Sequence, residues 1–513
     1  MTMMWPLPVE GKPSDVARRL AELEGLVREA ARDGLPAHEV ERGLWSSLLR
    51  LGHELQAEYF ALAGDGDRRE TLVLADGRVI RRLPEAHSRP YQSIFGEFVL
   101  ERVVYGTREG QRIEAVPLDA RLGLPAEKFS YLLQDWDQAL AVENPYGQVN
   151  AVLARILGFK QSVASLETMT RTLAGAVSGH AAARPPVARA TGEQIVVLSA
   201  DGKGVPIRKP ADAPAIAAHD HARGPKPDRK KMAVLGAAYH IEPSVRTPLA
   251  VVEALFRDPA APARANRTEP PRPVPQQKRL CAVLPVAGAA ALAPPRPAAV
   301  IFPWLAAEAR RRDPDHQHPW VLLMDGQAAL WEAAADALGE TPRVEILDLL
   351  HATGYLWEAV HLFHDPGSES ALKWMKLLVL GLLSGMGTGV IRWLQHLAEP
   401  GELPAAARTR LTEIHGYFDR HRHRIHYDRY LAAGYPIASG VIEGACRHVV
   451  KDRMERAGMR WTLPGAQALL SLRCVALNDE WEPFMNHYIQ HETARLYANI
   501  PIKLKSIRLR LVA

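Results

Sequence analysis

The sequence predicts a mixed α/β protein: a five-stranded mixed sheet flanked by helices, with a mostly helical N-terminal region and a helical insertion. Three observations carry this. Between residues 194 and 350, short apolar runs bounded by turn residues alternate with stretches of helical periodicity. Residues 349–434 then show helical spacing throughout. At 513 residues, with 47% hydrophobic and 24% charged, the chain has a globular composition and is too long for one ordinary core.

Taken in order, residues 1–70 read as a helical N-terminal region, with Leu20, Leu23, Leu26 and Val27, then Leu44, Leu48 and Leu49, at helical spacing. Residues 71–125 switch to alternating strand-like runs such as FGEFVLERVVYG, punctuated by glycine. Residues 126–190 return to helix. There NAVLARILGFKQSVASLETMTRTLAGAV reads as a helix, a turn around Gly158 and a second helix capped by Ser162 or Ser165. A DNA-binding helix-turn-helix and a plain helical hairpin both fit, because the second helix carries no basic density.

The next segment, 191–348, is the first part of the sheet domain, with strands expected at 195–200, 232–239, 279–284, 319–324 and 343–347. Helices are expected at 299–312 and 327–338, and DPAAPARANRTEPPRPVPQQK as a mobile loop between the second and third strands. Residues 349–435 form the helical insertion, with Trp357, Trp374 and Trp393 on apolar faces. Its run LLVLGLLSGMGTGVI (377–391) is shorter than the ~20 residues a membrane span needs and reads as buried helix broken by glycine. Residues 436–485 add another helix of the core, and 486–513 a basic tail whose end, PIKLKSIRLRLVA, has four cations and no acid.

The net charge of +5 and pI near 9.0 permit an anionic partner without requiring one. Three scattered cysteines, Cys281, Cys446 and Cys474, form no CxxC pair, and the N-terminus has no secretory pattern, so a reducing cytoplasm is expected.

Two strands run into Asp-Gly: IVVLSADG at Asp201 and VLLMDG at Asp325. Either alone starts a turn; two in one domain point to paired carboxylates at one sheet edge. Such charges repel unless a cation holds them, and oxygen ligands without cysteine point to Mg2+ or Mn2+. Glu443 is the candidate third acid, near the start of the helix in SGVIEGACRHVVK, which Ser439 is placed to cap. Glu443, Arg447 and Lys451, at i, i+4 and i+8, fall in one stripe suited to a phosphate-backbone channel, although i, i+4 pairs of this kind also serve as plain surface ion pairs.

Together, VVLSADGKGV, WVLLMDGQAALW and YPIASGVIEGACRHVVKDRMERAGMRWT resemble the DDE transposases of bacterial insertion sequences, specifically the ISKra-four family, over roughly residues 190–485. The resemblance implies an RNase H-like core in which Asp201, Asp325 and Glu443 are the catalytic triad and hold two Mg2+ (or Mn2+) ions, Asp201 bridging them. It implies strand cleavage and strand transfer on double-stranded DNA with terminal inverted repeats, joining to target DNA, and a homo-oligomer that pairs two ends. LDLLHATGYLW places Asp348 and His351 in a D-x-x-H arrangement similar to that of Mutator-like and hAT-like transposases. An accessory role for this pair and simple helix capping by Asp348 both stay open. Lys203, Arg447, Lys451 and Arg453 are the expected backbone contacts, and Trp461 either stacks on an unpaired base or packs in the core. In one departure, the stretch Gly106 to Gly110 lacks the CxxC that the family often carries, so any zinc-ribbon-like module in residues 71–125 must be held by packing alone. The competing readings are a metal-dependent nuclease without strand transfer, an inactive DNA-binding derivative, and an unrelated hydrolase of small phosphoesters.

Overall fold

The computed structural model describes residues 14–107, 113–208, 230–257, 272–285, 296–399, 403–456 and 458–501. The chain forms two compact units, one of residues 1–180 with 480–513, the other of residues 181–479. The expected loop at 258–278 and the basic stretch from 502 onward fall largely or wholly outside the described residues.

In the first unit, helices Ser14–Arg32 and Ala37–Ala63 precede a small all-antiparallel region. Its hairpin pairs His87–Ser93 with Gly96–Arg102, and a three-stranded sheet joins Thr71–Val73, Val79–Arg82 and Tyr105–Gly106. Apolar packing supports it: Leu72, Leu74, Ile80, Val103, Tyr105 and Ala115 form one cluster, and Phe60, Tyr91, Phe98 and Leu100 another. Three mutually packed helices follow, Tyr131–Glu143, Tyr146–Leu157 and Val163–Ala174. Gly158, at φ 80°, ends the second, and the Ser162 hydroxyl, rather than that of Ser165, caps the third by accepting from the Ser165 N–H at 2.9 Å. The exposed charges of that third helix, Glu167 and Arg171, cancel. The last helix, Trp481–Tyr497, returns to this unit, where a tail had been expected from 486.

The second unit contains the five-stranded sheet. Its strands are β1 (Ile195–Pro206), β2 (Lys230–Ile241), β3 (Gln276–Val283), β4 (Trp320–Met324) and β5 (Val344–Leu347), in spatial order β5-β4-β1-β2-β3. β2 is antiparallel to both β1 and β3, whereas β4 is parallel to β1 and β5. Both faces are covered, which is why these strands read as continuous apolar runs. Val196, Leu198, Trp320, Leu322 and Met324 face helices Pro297–Arg312 and Ala328–Leu338. Ile195, Val197, Val321 and Leu323 face the helical block that begins at Leu349.

That block comprises Leu349–His361, Glu369–Leu383, Gly387–Leu397, Ala405–Arg420 and Tyr427–Ala432. The break expected in 377–391 falls at Ser384–Met386, with Gly385 at φ 81°. Trp357 and Trp393 pack against the core, but Trp374 is exposed, stacked on Trp393. A helix that periodicity did not reveal, Pro248–Leu255, lies between β2 and β3; at eight residues it is too short for a clear pattern. No described helix is long and apolar enough to cross a membrane.

Candidate active site

Asp201 lies within β1, not at its end. The strand was expected to stop at residue 200, yet it stays paired to β2 as far as Pro206. Its pairing with β4 covers only Val196–Leu198, so beyond Leu198 β1 runs on with β2 alone. Alternation places Asp201 and Lys203 on the same face as Ile195 and Val197, the face toward the helical block. The Asp201 carboxylate accepts from the Gly202 N–H at 2.6 Å and from the Cys446 thiol at 3.3 Å.

Asp325 directly follows β4, as expected. Its Oδ1 accepts from the Gln327 N–H at 3.0 Å, so the Asp-Gly pair does start a turn. Burial, then the nearby Asp201 and Asp348 carboxylates, raise Asp325 above the ordinary range, outweighing the Gln327 N–H and His351. Gly326 serves a close approach: a Cβ there would lie 2.0 Å from Cε2 of Tyr417, on helix Ala405–Arg420.

Asp348 ties the separate parts of the site together. Its N–H donates to the Met324 carbonyl at 2.8 Å, anchoring the end of β5 to that of β4. Fully buried, it caps helix Leu349–His361 by accepting from the His351 N–H at 2.7 Å, and its Oδ1 lies 3.3 Å from His351 Nδ1. Its other oxygen accepts from the Ser439 N–H. Burial alone would raise Asp348, but these bonds from His351 and Ser439 hold it below the usual Asp value. The same Asp348 bond, with the charges of Asp348, Asp325 and Asp201, lifts His351 to about 9 against the cost of burial.

Ser439 was expected to cap the Glu443 helix, but its side chain makes no capping bond; its hydroxyl donates to Glu443 Oε1 at 3.4 Å. Nor is that helix continuous. Gly440–Ala445 is α-helical, Cys446–Lys451 is a π-helix and Asp452–Met454 is α-helical again. The buried Arg473 guanidinium, from helix Leu463–Leu477, donates to the His448 and Val449 carbonyls inside the widened segment. The wider turn replaces the regular stripe expected for Glu443, Arg447 and Lys451. Arg447 and Lys451 are exposed, and Arg447 lies 3.6 Å from Asp452.

Two expected DNA contacts sit elsewhere. Arg453 is only 1% exposed, with its guanidinium 5.0 Å from the Trp461 ring centroid, and is a core residue, not a backbone contact. Trp461 bonds its indole N–H to the Met454 carbonyl and forms a short parallel bridge with Ile207, extending the sheet past Pro206. Trp461 is half-buried and takes the packing role that the sequence left open, whereas no local signal marks the burial of Arg453.

Among the described residues, one group of three metal-ligating side chains brings its ligand atoms within 4.8 Å of one another: Asp348, His351 and Glu443. Asp201, in β1, and Asp325, directly after the adjacent β4, interact electrostatically with each other and with His351, but among the described residues neither joins Glu443 in such a group. The carboxylate donors suit a hard divalent cation. The Cys446 thiol, pushed well up chiefly by burial, stays protonated and donates to Asp201.

The chain matches no protein-family model, and no curated protein matches it significantly.

Proposed function

We propose that the second unit is an RNase H-like polynucleotidyl transferase core, and that the protein is a DDE transposase cutting and joining DNA through Asp201, Asp325 and Glu443. The observation that carries this reading is the sheet order β5-β4-β1-β2-β3, with β2 alone antiparallel, Asp201 within the central β1 and Asp325 directly after the adjacent β4. Asp348 adds support by linking the end of β5 to the start of the Glu443 helix through Ser439, which draws the third acid toward the same rim.

In this reading Asp201, Asp325 and Glu443 hold two Mg2+ or Mn2+ ions. When bound, the ions supply charge stabilisation for the attacking and leaving oxygens of an in-line displacement at phosphorus. The chain's own groups do the rest. The Gly202 N–H and Cys446 thiol hold the Asp201 carboxylate in one orientation, and the Gln327 N–H holds Asp325. In this reading Lys203, half-buried two residues after Asp201, and the exposed Arg447 and Lys451 meet the phosphate backbone. Cleavage and joining are both displacements at phosphorus, so one site serves both, on inverted-repeat ends and then on target DNA.

The test is Mg2+-dependent cleavage of end-labelled DNA carrying the element's terminal repeats. Asp201→Ala and Asp325→Asn should abolish cutting and retain DNA binding. Normal cutting by Asp201→Ala would refute the assignment. A strand-transfer assay with a 3′-hydroxyl end separates a transposase from a nuclease that only cuts.

A further inference from the structure

We propose that His351 is itself a metal ligand, sharing an ion with Glu443, and that this position favours a transition-metal dication over Mg2+. The proposal deepens the functional reading above and depends on it for the site's chemistry.

It starts from the close grouping of Asp348, His351 and Glu443, whose ligand atoms fall within 4.8 Å of one another. The three differ in availability. Asp348 is buried and already engaged, accepting from the His351 and Ser439 N–H groups and facing His351 Nδ1. It therefore acts as an orienting group: by accepting from Nδ1–H it leaves Nε2 as the ring nitrogen that would give up its proton to an ion. This is the carboxylate–histidine arrangement that fixes a ligating imidazole in metal sites. The His351 side chain is 43% exposed and Glu443 half-buried, so an ion can reach both from solvent.

A site offering an imidazole nitrogen beside carboxylate oxygen discriminates between ions. Mg2+ prefers an all-oxygen octahedron with several waters, whereas first-row transition ions accept nitrogen readily. The triad aspartates remain oxygen-only, so the two ion positions differ in chemistry.

The experiment is direct ion binding by the full-length protein without DNA, reading loss of the free Mn2+ resonance by electron paramagnetic resonance, with Mg2+ as competitor. His351→Ala and His351→Gln are compared with Asp201→Ala and Glu443→Gln, and circular dichroism checks that each is folded. His351 is chosen over Asp348 because Asp348 also holds Ser439. Both His351 variants should weaken Mn2+ binding by roughly tenfold or more while leaving competition by Mg2+ within about twofold. If they bind Mn2+ as tightly as wild type while Asp201→Ala does not, the inference is overturned and the two-ion reading survives. If binding is lost in the His351 variants and Glu443→Gln but kept in Asp201→Ala, the inference stands and the Asp201 assignment falls. Absence of Mn2+ binding by the wild type overturns both.

Discussion

Among the described residues of the second unit, Glu308 gathers four arginines around one buried acid. It is fully buried and accepts from Arg184 at 2.7 Å, from Arg311 at 2.9 Å and from Arg312, with Arg279 at 3.8 Å. Arg312 is also fully buried and reaches the carbonyls of Ala238 and Gln277, pinning helix Pro297–Arg312 to β2 and β3. Removing the acid strands buried guanidiniums, so Glu308→Gln should cost about 3–5 kcal/mol in chemical denaturation. A cost under about 1 kcal/mol would show that the cluster is solvated. In the first unit, burial lifts Asp137 to about 7, with Gln161 donating to one oxygen. A raised carboxyl favours the folded state most when protonated. Its contribution is therefore greatest below the ordinary Asp value and declines as pH rises toward 7, by roughly 4 kcal/mol at most. Asp137→Asn should flatten that decline in pH-dependent melting; an unchanged slope would place its cause elsewhere. At this scale the sequence was informative where a polar residue interrupted an apolar run, as at Asp201 and Asp325. It was uninformative for Arg453, Arg312 and Arg473, because a buried arginine looks like a surface one until its partners, distant in sequence, are known.

At the scale of elements, contacts made by remote segments set what the local sequence does not. β1 continues past Asp201 because β2 pairs with it and Trp461 bridges Ile207 beyond its end, neither of which is written in residues 201–206. Gly326 has its reason in a remote contact too, because the insertion's Tyr417 occupies the space a Cβ would take. Gly326→Ala should therefore destabilise the protein by about 1–3 kcal/mol through overpacking. Tyr417→Ala in the same chain should restore part of the loss, and strict additivity of the two changes would argue against their contact. The π-segment Cys446–Lys451 has its own support in Arg473. Arg473→Leu leaves the His448 and Val449 carbonyls without that donor. Hydrogen exchange should then rise across residues 446–451 while β1–β5 stay protected; an unchanged exchange pattern would mean that the segment holds without Arg473. By contrast, all five strands were legible to within a few residues at their starts, since burial on both faces leaves continuous apolar runs.

At the scale of the whole molecule, the chain builds a sheet domain interrupted by a helical block and returns at Trp481 to the unit where it began. The strand sequence alone implied a mixed sheet. The spatial order and the grouping of Asp348, His351 and Glu443 needed the fold, because 95 positions separate the first from the last. In the proposed function Asp201, Asp325 and Glu443 share divalent ions at one rim, which anomalous diffraction from Mn2+-soaked crystals can reveal or refute. Two peaks should appear within coordination distance of carboxylate oxygens from Asp201, Asp325 and Glu443. Peaks elsewhere, or a fully ordered rim without any, would contradict it.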